Sequence, residues 1–287
     1  MKTVDTLIGD IYRLLETKKI PEGVDIDEQC AIFGREMADV LREQLTTQYD
    51  GRGRLRLSGI GKPDRKLHHG YNGVEGEPIS GSTYVKFLYG HLVESMLLAL
   101  TRCSGHSVTE QQKEVKVGGV KGHIDGYIDG VLMDVKSCSS YGFKKFQRGT
   151  LHEDDPFGYI PQLRSYAHAE QQSTYGWLAM DKQNGTLAWL QYDENHDGAS
   201  YGDAIDWDVE QRVKDVKLLV DGSLPDVCYD PIPDGKSGNM KLPSGCAFCE
   251  FKHKCYPDLR VFGYASGARY LTKVVREPNT LEIPEGF

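Results

Sequence analysis

The chain lacks any apolar run approaching the ~18 residues that a membrane-spanning helix requires. Its first segment, MKTVDTLIGDIYRLLETKK, lacks the apolar core and cleavage site of a secretory signal and reads as an amphipathic helix carrying acids. The expectation is a cytosolic protein. An excess of positive charge is missing too: 34 Lys and Arg stand against 42 Asp and Glu, a formal net charge of −8. That argues against a protein that coats nucleic acid, because such coating rests on basic side chains neutralising phosphates. It leaves room for an enzyme whose basic residues gather on one face. A disulfide framework is also absent, since the seven cysteines are odd in number and three crowd into CAFCEFKHKC, which predicts thiols and a metal site. There is no internal repeat and no low-complexity segment. What remains is 287 residues, 39% hydrophobic and 26% charged, ordinary for a globular protein of one large domain or one and a half.

Hydrophobic spacing divides the chain. Residues 1–50 read as two helices, the second carrying Ile32, Phe33, Met37, Val40, Leu41 and Leu45 after the acidic start DIDE. The stretch GRGRLRLSGIGKPDRKLHHG follows, with Arg52, Arg54, Arg56, Lys62, Arg65 and Lys66, and Asp64 its only acid. It reads either as a solvated loop or as a segment that contacts phosphates. Residues 83–102 form a helix with a broad apolar stripe, on which His91 and Glu94 are surface neighbours. Residues 111–137 read as strands with tight turns and 157–171 as a helix. YGWLAM, KQNG and TLAWLQY form a hairpin. Residues 206–221 are helical, with Gly222 as the stop.

The richest segment is GHIDGYIDGVLMDVKS, residues 122–137. Asp129-Gly130 suits a two-residue hairpin turn, in which both positions need positive φ. Counting outward from that turn, Asp125 faces Asp134 and His123 faces Lys136. Strand side chains alternate with period two, so all four project from one face. Opposed residues have Cβ atoms roughly 4.5–5.5 Å apart. Two carboxylates that close repel each other unless a divalent cation is shared between them, and magnesium or manganese takes such oxygen ligands. Lys136 would position or deprotonate an attacking water, or stabilise developing charge. The competing reading is a polar hairpin in solvent, and a turn at Asp125-Gly126 would destroy the register.

Cys246-x2-Cys249-x5-Cys255 has the spacing of metal ligands. Cys228 or His253 would complete a local zinc site, and Cys30 is a more distant candidate ligand. The alternative is a knot of buried thiols; Cys103 and Cys138 read as core residues.

GHIDG followed by Asp134-Val135-Lys136 resembles the motif of the PD-(D/E)XK nuclease superfamily. Gly90-His91-Leu92-Val93-Glu94 resembles the helix that completes the metal site, with Glu94 as ligand. In PQLRSYAHA, Gln162 and Tyr166 resemble the Q-x3-Y motif of the RecB-type and bacteriophage exonuclease branch, which lines the DNA path. The likeness covers roughly residues 55–260, with the motifs in the family's order. It implies a restriction-endonuclease-like α/β core with a central mixed sheet flanked by helices, a helical N-terminal arm (1–50), a nuclease domain (51–260) including the cysteine-rich segment 228–255, and a C-terminal tail (261–287). Relatives hold a 4Fe–4S cluster with three C-terminal cysteines and one N-terminal cysteine, whose place here is occupied by Lys62.

The resulting expectation is a magnesium- or manganese-dependent DNA exonuclease, phage-encoded and acting in DNA recombination or degradation, with single-strand-binding or recombination proteins as potential partners. Glu94, Asp125 and Asp134 would hold the metal, Lys136 would assist the chemistry, and Gln162 and Tyr166 would position DNA. Lys144, Lys145, Arg148 and the basic segment 52–66 are candidate phosphate contacts. Cys228, Cys246, Cys249 and Cys255 would hold zinc or an iron–sulfur cluster. The alternatives are a structure-specific or restriction-type endonuclease, a non-catalytic nucleic-acid-binding protein on the same fold, and a zinc-ribbon interaction protein whose tail is the functional part.

Overall fold

A strand without a polar position has no face to give to water, and every residue of the run 175–180 is buried. The computed structural model, which describes residues 2–47, 53–193, 208–265 and 267–284, places this run inside its main sheet, with a strand on either side. The chain opens with α1 (Leu7–Thr17), α2 (Ile26–Thr46), α3 (Asp64–Tyr71) and α4 (Gly81–Cys103). Five strands follow: β1 (Val108–Thr109), β2 (Glu114–Val117), β3 (Val120–His123), β4 (Gly126–Ile128) and β5 (Val131–Cys138). Then come α5 (Ser140–Arg148), α6 (Tyr159–Ala169), β6 (Thr174–Asp181), β7 (Leu187–Asp193) and α7 (Val209–Asp221). The chain ends with β8 (Ile232–Pro233), β9 (Met240–Lys241), α8 (Ser244–Ala247), α9 (Lys252–Cys255), β10 (Arg260–Tyr264), β11 (Gly267–Lys273) and β12 (Glu282–Ile283).

It divides into two units. The first comprises residues 1–50, 55–61 and 79–213; the second comprises 51–54, 62–78 and 214–287. In the first unit the sheet order is β1-β4-β5-β6-β7. The β5–β6 pair is parallel, the others antiparallel. The sheet is therefore mixed, and the parallel pair needs a crossover, which α5 and α6 supply. One face packs Met133, Val135, Leu178 and Met180 against Leu7 and Ile11 of α1 and Val93, Leu97 and Leu98 of α4. The other face carries Trp177 against Phe146 of α5, with ring centroids 6.4 Å apart. β2 and β3 form a separate two-stranded sheet. No helix among the described residues is long and apolar enough to cross a membrane.

Several expected elements stand where spacing predicts them. Asp25, the first acid of DIDE, caps α2 by accepting from the backbone N–H groups of Asp27 and Glu28, both at 3.0 Å. The apolar stripe of α2 is not sealed, however: Leu41 and Leu45 are exposed. Nor is α1 an appendage, because Leu7 and Ile11 are fully buried and Asp10 accepts from the buried His106 at 3.2 Å.

The second unit departs further from expectation. Part of the basic stretch forms α3, and its charges are used internally: Arg65 donates to the carbonyl of Pro225 at 2.9 Å, and Lys66 pairs with Glu250 at 3.0 Å. Residues 232–283 carry an antiparallel sheet of order β12-β10-β11-β9-β8, which strand periodicity did not reveal. Three of its strands have only two residues, too short for a period to register. Leu242, Cys246 and Leu259 form its small core, with Tyr256 and Tyr270 packed alongside.

Candidate active site

The turn at Asp129-Gly130 stands as predicted, with φ of 50° and 85°. Ile128 pairs with Val131, Tyr127 with Leu132 and Gly126 with Met133. There the ladder stops, and the expectation for the next positions needs correction. His123 lies on β3 opposite Glu114 and is exposed, so it does not face Lys136. The cause is Gly126, whose φ of +139° turns the chain off β5; a side chain there would meet the carbonyl oxygen of Thr109 at 2.8 Å. Asp125 therefore falls between two sheets and is no ladder partner of Asp134. Its carboxylate instead accepts from the N–H of Val135 at 2.7 Å, satisfying a backbone donor that the departing strand leaves behind.

The predicted acids nevertheless come together. Asp134, on the central strand β5, is 1% exposed. Its carboxyl is pushed above the ordinary range by burial; Lys136 opposes that shift and Asp155 adds to it. Asp125 is held well above its usual value by burial, then by the charges of Asp134 and Glu94. Glu94 arrives from α4. Burial and then the charge of Asp134 push it up to about 7, and Gln112 donates to it at 2.9 Å. Three carboxylates from separate elements thus act on one another in low dielectric, where like charges cannot all ionise cheaply.

Lys136 is the cation of the cluster. Its ammonium lies 2.6 Å from Asp134 Oδ2 and 4.8 Å from the centroid of the Tyr159 ring. Burial works to lower its pKa, but the charges of Asp134 and Asp125 outweigh this and raise it, so the group stays an ammonium. Gln162, on α6, donates to Asp134 Oδ1 at 3.1 Å and stands 3.5 Å from the Tyr166 hydroxyl. Tyr166 is buried (3% exposed), and burial followed by the Asp134 charge pushes its phenol up to about 12. The ring lies where a side chain at position 122 would be, 2.5 Å from the Cβ position. Gly122 of GHIDG is thus the notch that admits the tyrosine of Q-x3-Y, a link between two motifs that sequence spacing does not show.

Two contributors escaped sequence reading. Tyr159 sits under the lysine at the start of α6. Asp155 accepts from the N–H of Ile160 at 2.8 Å, and its other oxygen is buried without a hydrogen bond. The available signal was an acid just ahead of a predicted helix. Among the candidate phosphate contacts, Lys145 pairs with Asp154 at 2.5 Å, whereas Lys144, Arg148, Arg54 and Arg56 are exposed. Arg52 lies outside the described residues.

By donor chemistry three carboxylates suit a hard divalent cation, and Asp134 Oδ2 is buried beside the Lys136 ammonium. As placed, the acids are turned to Gln112, Val135 and Lys136, and among the described residues no three His, Cys, Asp or Glu side chains surround a common point. The same holds in the second unit for Cys228, Cys246, Cys249 and Cys255. These four thiols are electrostatic neighbours, and Cys246 is pushed up to about 12 by burial and then by the other three. The chain around them is tied by Tyr256 donating to the carbonyl of Tyr229 at 2.7 Å. His253 instead faces Glu77 at 3.0 Å. Cys30 is exposed and sits near Cys103 in the first unit.

The fold and its acidic cluster define a mixed α/β protein whose central strand carries paired acidic and basic groups. No family model matches the chain, and no curated protein matches it. Among solved structures it is similar to SSO0001, at 14% identity and a TM-score of 0.40, over 78% of this chain and 96% of that one. It is also similar to the alkaline exonuclease LHK-Exo of Laribacter hongkongensis, at 13% identity and a TM-score of 0.42, over 59% of this chain and 88% of that one. The same exonuclease in complex with dAMP gives 13% identity and a TM-score of 0.38, over 59% and 90%. Likeness at this level carries no functional weight, and the reading of the site rests on its own residues.

Proposed function

We propose that the chain is a metal-dependent deoxyribonuclease of the PD-(D/E)XK pattern that hydrolyses phosphodiester bonds from a DNA end. The observation that carries the reading is the convergence of Glu94, Asp125 and Asp134, from α4, the β3–β4 junction and β5, around the ammonium of Lys136. Glu94, Asp125 and Asp134 would hold magnesium or manganese, which supplies electrophilic stabilisation of the phosphate undergoing attack. Lys136, kept charged by Asp134, donates to the attacking water or to a phosphate oxygen and offsets developing negative charge. Gln162 fixes the orientation of Asp134 through Oδ1, with Oδ2 paired to Lys136. Tyr166, seated in the Gly122 notch, holds Gln162 and presents its hydroxyl to the same space. Exposed Arg56, Lys144 and Arg148 supply phosphate contacts along the strand.

The test is digestion of end-labelled linear DNA, single- and double-stranded, beside circular and end-blocked DNA, with magnesium, manganese or chelator. The expected result is cation-dependent loss of linear substrate that spares circles. Cleavage of circles would make it an endonuclease. No cation-dependent cleavage of any substrate would overturn the proposal.

A further inference from the structure

Phe157 presents a ring to solvent beside the acidic cluster without being loose. It is 57% exposed, so one face of the ring is free to meet a ligand. The segment that bears it is pinned. The N–H of Gly158 bonds to the carbonyl of Asp155 at 3.2 Å, the Asp155 carboxylate accepts from Ile160 at 2.8 Å, and Gly158 adopts φ +73° at the start of α6. One face of the Phe157 ring is stacked on Tyr159, with centroids 5.5 Å apart and planes 26° apart. Tyr159 in turn packs on Phe146 at 6.0 Å and lies under the Lys136 ammonium at 4.8 Å. A graded row of rings therefore runs from the core to the surface, and only its last member is open. The centre of that open ring is within about 10 Å of the Lys136 ammonium, as the two intervening separations require. That is the reach of one nucleotide from a phosphate held at the lysine.

We propose that Phe157 is a positioning residue on which an unpaired nucleobase next to the scissile phosphate stacks, so that the site takes single-stranded or frayed DNA ends. The inference rests on the nuclease reading above. Every base has a π-face, so such a platform is indifferent to sequence, and one base–aromatic stack changes affinity roughly 5- to 150-fold. A base inside a duplex has both faces covered by its neighbours, so a closed circular duplex gains nothing from the ring.

The experiment uses the full chain with calcium in place of magnesium, to hold DNA without turnover, and short single-stranded oligonucleotides carrying 2-aminopurine at the 5′ or the 3′ terminal base. Fluorescence quenching of one of the two labels on binding is expected. Phe157→Ala should abolish the quench and raise Kd within the range above, whereas Phe157→Trp should restore both. In turnover, Phe157→Ala should raise KM for single strands with little change in kcat. Binding of closed circular duplex should be unaffected. Because the side chain is exposed, the variants should keep the wild-type melting temperature. Wild-type protein that binds single strands with no quench at either end, or Phe157→Ala with unchanged affinity, overturns this inference alone. Wild-type protein that binds no DNA and cuts none overturns the nuclease reading and this inference with it.

Discussion

At Asp134, charge and shape separate cleanly. Asp134→Asn keeps an oxygen for Gln162 and nearly the same volume in a buried position, yet removes the charge that holds Lys136. The expected outcome is a loss on the order of 10²–10³ in the rate of DNA cleavage with the fold retained, read by digestion and circular dichroism; full activity would exclude Asp134 from the chemistry. Glu94 makes a different prediction, concerning protons. Its folded pKa of about 7 lies above the ~4.3 of an unfolded glutamate, so the folded chain binds the extra proton more tightly. The stability contributed by that proton is complete below pH ~4.3 and is lost as pH rises through about 7. Chelated protein should therefore melt lower at pH 8 than at pH 5.5, by on the order of a few °C. Manganese should raise the melting temperature more at pH 8, and Glu94→Gln should flatten the pH profile. A chelated protein with no such dependence would place Glu94 outside the cluster. Asp134 and Lys136 share a side of β5 as a period of two dictates, whereas Asp125 meets them by leaving the ladder that the count from the turn assigned to it. Glu94 was visible only through resemblance, since apolar neighbours on its helix say nothing of the carboxylates it meets. Asp155 and Tyr159 act through a loop conformation that no periodicity encodes.

At the scale of elements, the GHIDG segment is a joint between two sheets, and its glycines carry the joint. Gly122→Ala would drive a methyl group into the Tyr166 ring and to 3.0 Å from the Cβ of Leu57. A cost of about 1–3 kcal/mol is expected from such overpacking, measured by urea unfolding, together with slower cleavage as Tyr166 is displaced. Unchanged stability would mean that the tyrosine has room to move. The turn was predictable from Asp129-Gly130 alone. The departure of Asp125 from the ladder was not, because it depends on Thr109, a strand away, occupying the space beside Gly126. In the second unit, Cys228, Cys246, Cys249 and Cys255 are electrostatic neighbours, and burial holds Cys246, Cys249 and Cys255 above the usual thiol range, which keeps their protons on. A zinc ion would exchange those protons for thiolate bonds. Purified protein should be colourless and contain about one zinc per chain or none. Cys249→Ser should release the metal and lower the melting temperature while sparing cleavage. Brown protein containing iron and sulfide would decide for a cluster instead.

For the molecule as a whole, the overall mixed architecture followed from the alternation of helical and strand patterns, and the two units did not. The second gathers residues from 51–54, 62–78 and the chain beyond 213, a discontinuity that no composition shift announces. The parallel pairing of β5 with β6 has a consequence in time. The hairpin that brings Asp125 and Asp134 together closes over a few residues and forms early. Gln162, Tyr166, Tyr159 and the strand that flanks the acids all come later in the chain, and long-range parallel pairing is slow to form. On the ribosome, the acids therefore emerge before the residues that orient them. On the nuclease reading, competence to cut would be acquired only once residues up to 181 have been synthesised and docked, so a translation product stalled before β6 would carry the acids and remain inert.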